Sequence, residues 1–235
     1  MTVSRADVCA VACADLFRDD GEILASPMGV LPSLGARLAR LTFAPELLLS
    51  DGEATLLDAD GVAEGWLPYR AVFDVVAHGR RHVVMGANQL DRHGNQNISC
   101  IGPHARPTRQ LLGFRGAPGN TVNHRTSYWV PRHSPRVFVS EVDVVSGVGY
   151  DRSAGPYHDL HRVVTNLAVL DFGGPWRTMR LVSAHPGVAV DDVVEETGFP
   201  LEVNGVSVTR TPTDAELELL RSLDPSGRRA AEVRS

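Results

Sequence analysis

The chain has no long hydrophobic run, because no apolar stretch approaches the length needed to cross a bilayer. Its N-terminus also has no basic segment followed by an apolar one, as a secretory signal would need. Basic residues are dispersed, and the formal net charge of −5 argues against a surface for nucleic acid or anionic lipid. We therefore expect a cytoplasmic protein that binds neither nucleic acid nor a membrane.

Cysteine is scarce, and Cys9, Cys13 and Cys100 provide no even disulfide framework. Cys9 and Cys13 lie one helical turn apart on an apolar face, so we interpret them as core thiols rather than ligands. The closest histidine pair, His158 and His161, has no third ligand at a recognisable spacing. We therefore predict no metal site.

The 235 residues are 43% hydrophobic, which is enough to bury a full core. Apolar residues recur at helical spacing between Val30 and Leu41, and short strands are predicted on either side, at 22–26 and 46–49. This early alternation favours a parallel sheet with helices on its faces. We predict one α/β domain over residues 1–224, with an open, mainly parallel sheet flanked by helices, and a disordered tail at 225–235.

Later segments carry weaker patterns. Residues 56–68 have no clear period and are expected to be irregular, whereas 69–78 is a predicted helix. A strand is predicted at 136–139, and Gly198 is expected to close a helix from the C′ position. Thr213 is expected to cap the last amphipathic helix.

A polar segment follows the β-branched run at 82–84, where a buried strand is predicted to end. The carboxyl end of such a strand lines the ligand crevice of an open α/β sheet. The segment carries the amides Asn88, Gln89, Asn95 and Asn97. Amides suit a thioester or a carbonyl, so we predict substrate binding by Asn88, Gln89 and Asn97. A turn whose amides bond their own backbone has equal weight.

Residues 86–97 also resemble a known family. Their sequence, Gly-Ala-Asn-Gln-Leu-Asp-Arg-His-Gly-Asn-Gln-Asn, is similar to the signature Gly-Ala-x-Gln-Val/Ile-Asp-x-x-Gly-Asn-x-Asn of β subunits in the class I coenzyme A transferase family. The run at 185–199 resembles the family's C-terminal element, His-Pro-Gly-Val-x-x-x-x-Val-x-x-x-Thr-Gly-Phe. With further matches before Ser50 and at 163–172, the resemblance covers the chain nearly end to end. It implies a CoA-transferase-like fold.

The resemblance also implies how such a chain works. Family members act as α and β subunits, or as a fused pair, with the active site in the cleft between two similar halves. This chain resembles the β half, so an α subunit of similar fold and an acyl-CoA substrate are the expected partners. Coenzyme A is part of the substrate, and no cofactor is expected. A homodimer with two self-complementary sites is the alternative assembly.

The family's nucleophile motif, Ser-Glu-Asn-Gly, stands where this chain has Ser50-Asp51-Gly52-Glu53. In the family that glutamate attacks the acyl-CoA, and the residue that aligns with it here is Asp51. Aspartate is one methylene shorter, which withdraws the carboxylate by about 1.5 Å, and a misplacement near 1 Å can cost on the order of 100-fold in rate. We take Asp51 and Glu53 as the catalytic candidates; a solvated turn is the alternative.

A family loop of glycines, whose backbone amides approach the thioester, aligns with residues 111–120, and here Phe114, Arg115 and Pro118 interrupt it. The binding candidates on this stretch and just after it are Gly116, Asn120, Asn123 and His124. Arg125 follows, and we expect it to bind a substrate carboxylate in a bidentate fork because no acidic partner is evident nearby. An ion-paired or surface arginine is the alternative.

These departures look most like a branch of the family that hydrolyses a carbon–carbon bond of a steroid-derived CoA thioester. The predicted reaction is hydrolytic opening of a carboxylated cyclic β-ketoacyl-CoA from steroid (cholesterol) catabolism, with Asp51 or Glu53 and Arg125 as the polar groups on this chain. The base that activates water is assigned to this chain or to its partner. The alternatives are a true CoA transferase for 3-oxo or dicarboxylic acids, and a non-catalytic chain that stabilises its partner.

Overall fold

The computed structural model describes residues 3–52, 54–68, 71, 74, 78–152 and 155–233. Its strands are β1 (Leu24–Pro27), β2 (Leu48–Ser50), β3 (Thr55–Leu57), β4 (Ala63–Trp66), β5 (Arg81–Gly86), β6 (Gln89–Leu90), β7 (Gln96–Asn97), β8 (Cys100–Ile101), β9 (Arg109–Gln110), β10 (Arg125–Val130), β11 (Asp159–Thr165), β12 (Ala168–Asp171), β13 (Arg180–Ala184) and β14 (Ser207–Val208). Its α-helices are α1 (Arg5–Ala14), α2 (Val30–Thr42), α3 (Ala117–Asn123), α4 (Val190–Glu195), α5 (Asp214–Leu223) and α6 (Arg228–Glu232).

One ten-stranded sheet runs through the molecule in the order β14-β13-β12-β11-β10-β5-β1-β2-β3-β4. Its five central strands, from β11 to β2, are parallel to one another. Antiparallel strands extend the sheet on both sides, with β12 and β13 on one side and β3 and β4 on the other. The predicted α/β fold, an open and mainly parallel sheet flanked by helices, is confirmed.

The order of the parallel strands reverses at β1. The chain passes from β1 to β2 on one side, and then returns to place β5 on the other side of β1. In open α/β sheets, ligands bind outside the carboxyl ends of the strands at this switch point. We therefore expect a ligand site at the loops that follow β1, β2 and β5.

Different helices cover the two faces of the sheet. On one face α1 packs against α2, and Gly35 allows the close approach because a Cβ there would lie 2.7 Å from Ala14 N. On the other face α3 buries Ala117 in the same apolar cluster as Met85. Since α3 leads into the first residue of β10, it runs from the carboxyl edge of the sheet towards the amino edge.

The cysteines and the closest histidine pair, which the sequence left as possible metal ligands, have defined surroundings in the structure. All three cysteines are free and buried, which confirms the prediction of core thiols, and burial raises the pKa of Cys9 to about 12. His158 Nε2 lies 3.1 Å from Val148 O, whereas His161 packs edge-on against His82. Within the described ranges, no group of three potential ligands gathers around a metal position, and no helix has the length and apolarity to span a bilayer.

Several local predictions are wrong. Residues 56–68 contain parts of the β3–β4 hairpin, and 136–139 contributes only an isolated bridge between Leu90 and Phe138. Gly198 does not adopt the positive φ of a C′ residue; it is needed because a Cβ there would lie 2.4 Å from Phe138 O. The helix predicted at 69–78 lies largely outside the described residues.

The described residues 225–233 are folded, contrary to the disorder predicted for 225–235. Helix α6 is held by Arg229, whose Nε donates to Asp7 at 2.8 Å and whose Nη1 donates to Asp224 at 3.0 Å. Glu232 accepts hydrogen bonds from Val30 N at 3.2 Å and Leu31 N at 2.7 Å, at the start of α2. The tail thus completes the N-terminus of a core helix.

Candidate active site at the carboxyl edge

The candidate site is the carboxyl edge, by which we mean the loops Met28–Gly29, Asp51–Gly52, Gly86–Asn88 and Gly113–Gly116. The first three follow β1, β2 and β5 directly. The fourth precedes α3, and it is placed here because Asn120, one turn into that helix, donates from Nδ2 to Met85 Sδ at 3.4 Å. These loops therefore surround the switch point of the sheet.

Asp51 lies exposed at this edge, as predicted, but its carboxylate is turned towards its own hairpin. Its Oδ1 accepts a hydrogen bond from Thr55 N at 3.1 Å, and its backbone N donates to Thr55 O at 3.0 Å. Gly52 has φ +91°, and a Cβ there would lie 2.5 Å from Pro27 O. The glycine is thus required for the loop to approach β1, and Glu53 lies outside the described residues.

The polar segment after β5 forms a tight hairpin organised by Asp91. The carboxylate of Asp91 accepts from His93 N at 2.9 Å, from Asn95 N at 3.0 Å and from Asn95 Nδ2 at 2.8 Å. Gln96 Nε2 donates to Gly86 O at 2.6 Å, which ties the hairpin to the end of β5. Much of this motif therefore serves to build the loop.

Gln89 and Asn97 are buried and their hydrogen-bonding capacity is used inside the protein. Asn97 donates from Nδ2 to Gln89 Oε1 at 2.7 Å and to Cys100 O at 2.8 Å, and its Oδ1 accepts from Ser99 N at 2.9 Å. Gln89 Nε2 donates to Asp143 Oδ2 at 3.0 Å. An amide has two donors and one acceptor oxygen, so little capacity is left for a ligand. These contacts match the alternative considered from the sequence, amides that bond within their own turn, and substrate binding by Gln89 and Asn97 stays a prediction. Of the three predicted residues, Asn88 is the one exposed at the edge.

Gly116 is exposed at the carboxyl edge, whereas Asn120 is buried beneath it. Asn120 Oδ1 accepts a hydrogen bond from Arg81 Nη1 at 3.2 Å, so Asn120 supports the site rather than lining it. Arg115, which the sequence presented only as an interruption of the glycine loop, is exposed here with φ +49°. A non-glycine residue in this region of φ is uncommon and often marks a functional loop. In the sequence, the position of Arg115 between Gly113 and Gly116 is the feature that could have indicated it as a site residue.

Arg125 lies at the opposite end of β10 from this edge and is ion-paired, which is the alternative considered from the sequence. It is the first residue of β10 and pairs with His82, whereas Trp129 pairs with Gly86, roughly 13 Å further along the strand. Its guanidinium donates from Nη1 to Asp20 at 2.6 Å and from Nε to Asp159 at 2.9 Å. Those two acidic partners are distant in sequence, which is why they were missed.

Asn123 and His124, like Arg125, lie away from the carboxyl edge. Asn123 is the last residue of α3 and is exposed, and His124 is buried directly before β10. Because both precede the first residue of β10, they lie towards the amino edge of the sheet, away from Asp51. The structure therefore does not support their assignment to the substrate site.

The amino edge carries a cluster of five residues, in which Asp20, His82 and Ser127 are buried and Arg125 and Asp159 are partly exposed. His82 Nδ1 lies 2.6 Å from Asp20 Oδ2 and His82 Nε2 lies 2.9 Å from Ser127 Oγ. Burial would raise the pKa of Asp20, but hydrogen bonds from His82 and Arg125 hold that pKa below its ordinary value. Burial would lower the pKa of Arg125, but its bonds to Asp159 and Asp20 raise it.

The order serine, histidine, aspartate in this cluster matches that of a hydrolytic triad. However, both His82 and Ser127 are 0% exposed, so the Ser127 hydroxyl cannot meet a substrate. A buried histidine with a partner on each ring nitrogen is a satisfied core residue. We therefore assign this cluster to the stability of the fold.

The carboxyl edge presents the Asp51 carboxylate, the Asn88 amide and the Arg115 guanidinium. A guanidinium can bind a carboxylate, and an amide can bind a carbonyl oxygen. The described residues of this edge do not bring together a nucleophile, a general base and oxyanion donors.

Comparison with known proteins identifies the relatives of this chain, although no family model matches it. The chain is 58% identical to the cholesterol ring-cleaving hydrolase IpdB subunit of Rhodococcus jostii, an alignment that covers 98% of this chain and 96% of that protein. It is 56% identical to the IpdB subunit of Mycobacterium tuberculosis, with 99% of each chain covered.

Solved structures agree with these relatives. The crystal structure of Rhodococcus jostii IpdAB contains a chain that matches with a TM-score of 0.96 and 57% identity, covering 100% of both chains. Glutaconate coenzyme A-transferase from Acidaminococcus fermentans matches with a TM-score of 0.82 and 22% identity over 99% of this chain and 98% of that one, which shows the shared fold. The chain therefore belongs to the family of IpdB subunits of cholesterol ring-cleaving hydrolases, which have the CoA-transferase fold.

Proposed function

We propose that this chain is the β subunit of a heteromeric hydrolase that opens a carbocyclic ring of a steroid-derived cyclic β-ketoacyl-CoA. The observation that carries the proposal is the 58% identity to a cholesterol ring-cleaving hydrolase subunit over 98% of the chain. The alignment spans nearly the whole chain rather than one segment of it. The relatives named as transferases are more distant, for example 29% identical for one subunit of a 3-oxoadipate CoA-transferase.

The proposed reaction is a hydrolytic retro-Claisen cleavage. Water adds to the ring ketone, and the bond between that carbon and the α-carbon of the thioester breaks. The electron pair passes to the α-carbon as a thioester enolate, which then takes a proton. The product is a single ring-opened acyl-CoA in which the former ketone carbon is a new carboxyl group, so the reaction consumes one water and needs no cofactor. Oxyanion donors contribute about 3–4 kcal/mol each to such a reaction.

The geometry at Asp51 supports hydrolysis rather than acyl transfer through this chain. A transferase needs a carboxylate that extends to the thioester carbonyl, whereas Asp51 is short and accepts a hydrogen bond from Thr55 N. Its carboxylate is suited to orient water or a polar group of the substrate. We assign recognition of the substrate's free carboxylate to Arg115, because it is the exposed arginine of the loop that precedes α3.

The site is completed by a partner. The related crystal structure is of IpdAB, and we infer that this chain likewise pairs with an α subunit of similar fold. A cleft between two halves excludes water from most of a large ligand while its rim holds the CoA moiety. The base that activates water is then supplied across the cleft. The cytoplasm, where acyl-CoA metabolism takes place, stays our prediction for the compartment.

The test is turnover by the co-expressed pair in oxygen-18 water. The purified complex is incubated with a cyclic β-ketoacyl-CoA, and mass spectrometry is expected to find one labelled oxygen in the new carboxyl group. A borohydride-trapped CoA adduct on this chain, with transfer of CoA to an added acid, would instead identify a transferase. Catalysis by this chain alone at the rate of the complex would contradict the shared site, and full activity of an Asp51→Asn, Arg115→Gln double variant would identify a non-catalytic subunit.

A further inference from the structure

Arg81 is a buried arginine whose side chain extends from the amino end of β5 towards the carboxyl edge. It begins β5, is 5% exposed, and extends along the face of the sheet that α3 covers. Its Nε donates to Ser26 Oγ at 3.1 Å and its Nη1 donates to Asn120 Oδ1 at 3.2 Å. The guanidinium is thus clamped between β1 and α3, next to the switch point.

The partners of Arg81 are neutral. Within the described ranges, no carboxylate forms an ion pair with it. By contrast, two other arginines on strands of the sheet are paired: Arg125 with two carboxylates and Arg180 with one. Burial lowers the pKa of Arg81 to about 10, so it is still protonated at neutral pH. Its Nη2 donates to no described residue and is not among the fully buried polar atoms, so it keeps some contact with solvent. Burying a charge without a counter-ion is costly, which calls for a functional reason.

A chain of hydrogen bonds connects Arg81 to the Asp51 loop. Ser26 Oγ, which accepts from Arg81, lies 3.2 Å from Ser50 Oγ. Ser50 Oγ donates to Ala25 O at 3.1 Å and accepts from Gly52 N at 3.2 Å. Since each hydroxyl can donate once and accept twice, the two serines join the guanidinium to the backbone of Gly52.

This chain of contacts acts where the loop has little freedom. Gly52 lies close to Pro27 O, so a small shift of its amide must move the adjoining Asp51. Ser26 and Ser50 are both buried, which protects their bonds from competition by water. The Arg81 guanidinium therefore fixes one end of the series of hydrogen bonds that holds Gly52 and, with it, the adjoining Asp51.

We propose that Arg81 is a positioning residue for the reaction: through Ser26 and Ser50 it fixes the Asp51–Gly52 loop in the geometry that the reaction needs. The inference rests on the proposed function in one respect, because it takes Asp51 to act on the acyl-CoA substrate. It assigns a role to Arg81 and Ser26, which neither the sequence motifs nor the exposed site includes.

The experiment compares isosteric variants at Ser26 in the co-expressed complex. Ser26→Thr keeps the hydroxyl and Ser26→Val has the same shape without it, so their difference reports the hydrogen bonds alone. We expect kcat to fall about 10-fold in Ser26→Val relative to Ser26→Thr, with KM within twofold, because a displacement below 1 Å costs less than 100-fold. Arg81→Lys, which cannot bond Ser26 and Asn120 together, is expected to lose about 10-fold, and the Arg81→Lys, Ser26→Val double variant no more than the larger single loss.

Amide hydrogen exchange separates positioning from a general loss of stability. Exchange is expected to speed up in the peptide that contains Gly52 in Ser26→Val, and to stay unchanged in the peptides of β10 and β11. Ser127→Ala is the matched control, because Ser127 is also a buried strand serine but bonds to His82 at the amino edge. It is expected to lower thermal stability without changing kcat.

Two results would overturn the proposal: wild-type kcat in Ser26→Val, or a loss of kcat that is accompanied by faster exchange across the whole sheet. The measurements use whatever acyl-CoA turnover the wild-type complex catalyses. If oxygen-18 labelling shows transfer instead of ring opening, the proposed function fails while the Ser26 and Arg81 results still decide whether the loop is positioned in this way.

Discussion

The two edges of the central sheet hold their charged residues in different ways. At the amino edge Asp20 is bonded to both His82 and Arg125, and Arg125 also reaches Asp159. At the carboxyl edge Asp51 and Arg115 are exposed. The buried Arg81, whose side chain extends towards this edge from the first residue of β5, has only a hydroxyl and an amide as partners within the described part of the chain.

We interpret the paired charges of the amino edge as structural, and the charges at or extending towards the carboxyl edge as candidates for a role in the reaction. In a network whose positive and negative charges are paired with one another, no ligand is needed to balance a charge, and the ion pairs act on the stability of the folded state. A charge that is buried with neutral partners alone, such as Arg81, is not compensated in this way, and polar groups at a switch point lie where ligands bind. We therefore expect the cluster that resembles a catalytic triad to stabilise the fold, and the carboxyl edge to take part in the reaction.

The largest expected effect comes from breaking the amino-edge cluster at Asp20. Its side chain is 1% exposed, so Asp20→Asn leaves Arg125 and His82 without their shared buried carboxylate. We expect the free energy of unfolding of the complex to fall by about 3–5 kcal/mol, as measured by chemical denaturation. We also expect kcat of the folded fraction to stay within twofold of the wild type. A loss of kcat at equal folded fraction would show that this edge contributes to the reaction.

The same variant has a defined pH signature. Because the pKa of Asp20 is lowered in the folded state, its stabilising contribution is present above its unfolded pKa of about 3.9 and is lost as the pH falls through the lower folded value. The acid-induced loss of stability below about pH 4 should therefore be shallower in Asp20→Asn. An identical acid slope in both proteins would contradict the lowered pKa.

The next effect is catalytic and comes from Asp51. Asp51→Asn keeps the size of the side chain and an oxygen that can accept from Thr55 N, but removes the charge. We expect kcat to fall about 100-fold with little change in stability. Asp58→Asn is the matched control, since Asp58 Oδ1 accepts from Val62 N at 2.8 Å in the next turn. Equal activities of the two variants would remove Asp51 from the site.

A smaller effect distinguishes the two arginines. Arg115→Lys loses the bidentate fork, and we expect kcat/KM to fall about 10-fold, equivalent to roughly 1.4 kcal/mol. Arg125→Lys should leave kcat/KM within twofold and lower stability by about 1 kcal/mol, because its side chain is 33% exposed and solvent weakens its ion pairs. Steady-state kinetics and thermal melts measure both. The opposite pattern would return the substrate carboxylate to Arg125.

The sequence was sufficient where the signal is local or carried by a long motif. Apolar periodicity identified α2, and the match at residues 86–97 identified the family and therefore the sheet. The β3–β4 hairpin was missed because it lies at the edge of the sheet and its residues are mostly exposed or half-buried, so apolar and polar positions do not alternate. The strand predicted at 136–139 is apolar because Phe138 is a core residue in a loop.

The site was predicted less well, because its geometry depends on pairs that are distant in sequence. Arg125 seemed to lack a partner since Asp20 lies 105 residues away and Asp159 lies 34 residues away. The amides Gln89 and Asn97 have the composition of a ligand site, but their mutual hydrogen bond becomes evident only in the folded hairpin. Position along a strand, rather than proximity in sequence, decides which polar residues meet at the carboxyl edge.

The smallest effect concerns Glu232 and the start of α2. The N-terminus of a helix that follows the first strand of a parallel sheet is a ready anion site, and here the chain's own Glu232 carboxylate accepts from Val30 N and Leu31 N. Glu232→Gln keeps an acceptor but loses the charge, so we expect stability to fall by about 0.5–1 kcal/mol and KM for acyl-CoA to stay unchanged. Thermal melts of the complex at low and high salt measure this, and the difference from wild type should shrink at high salt. A lower KM in Glu232→Gln would instead mean that the carboxylate keeps a substrate phosphate away from α2, which would add this helix to the carboxyl edge.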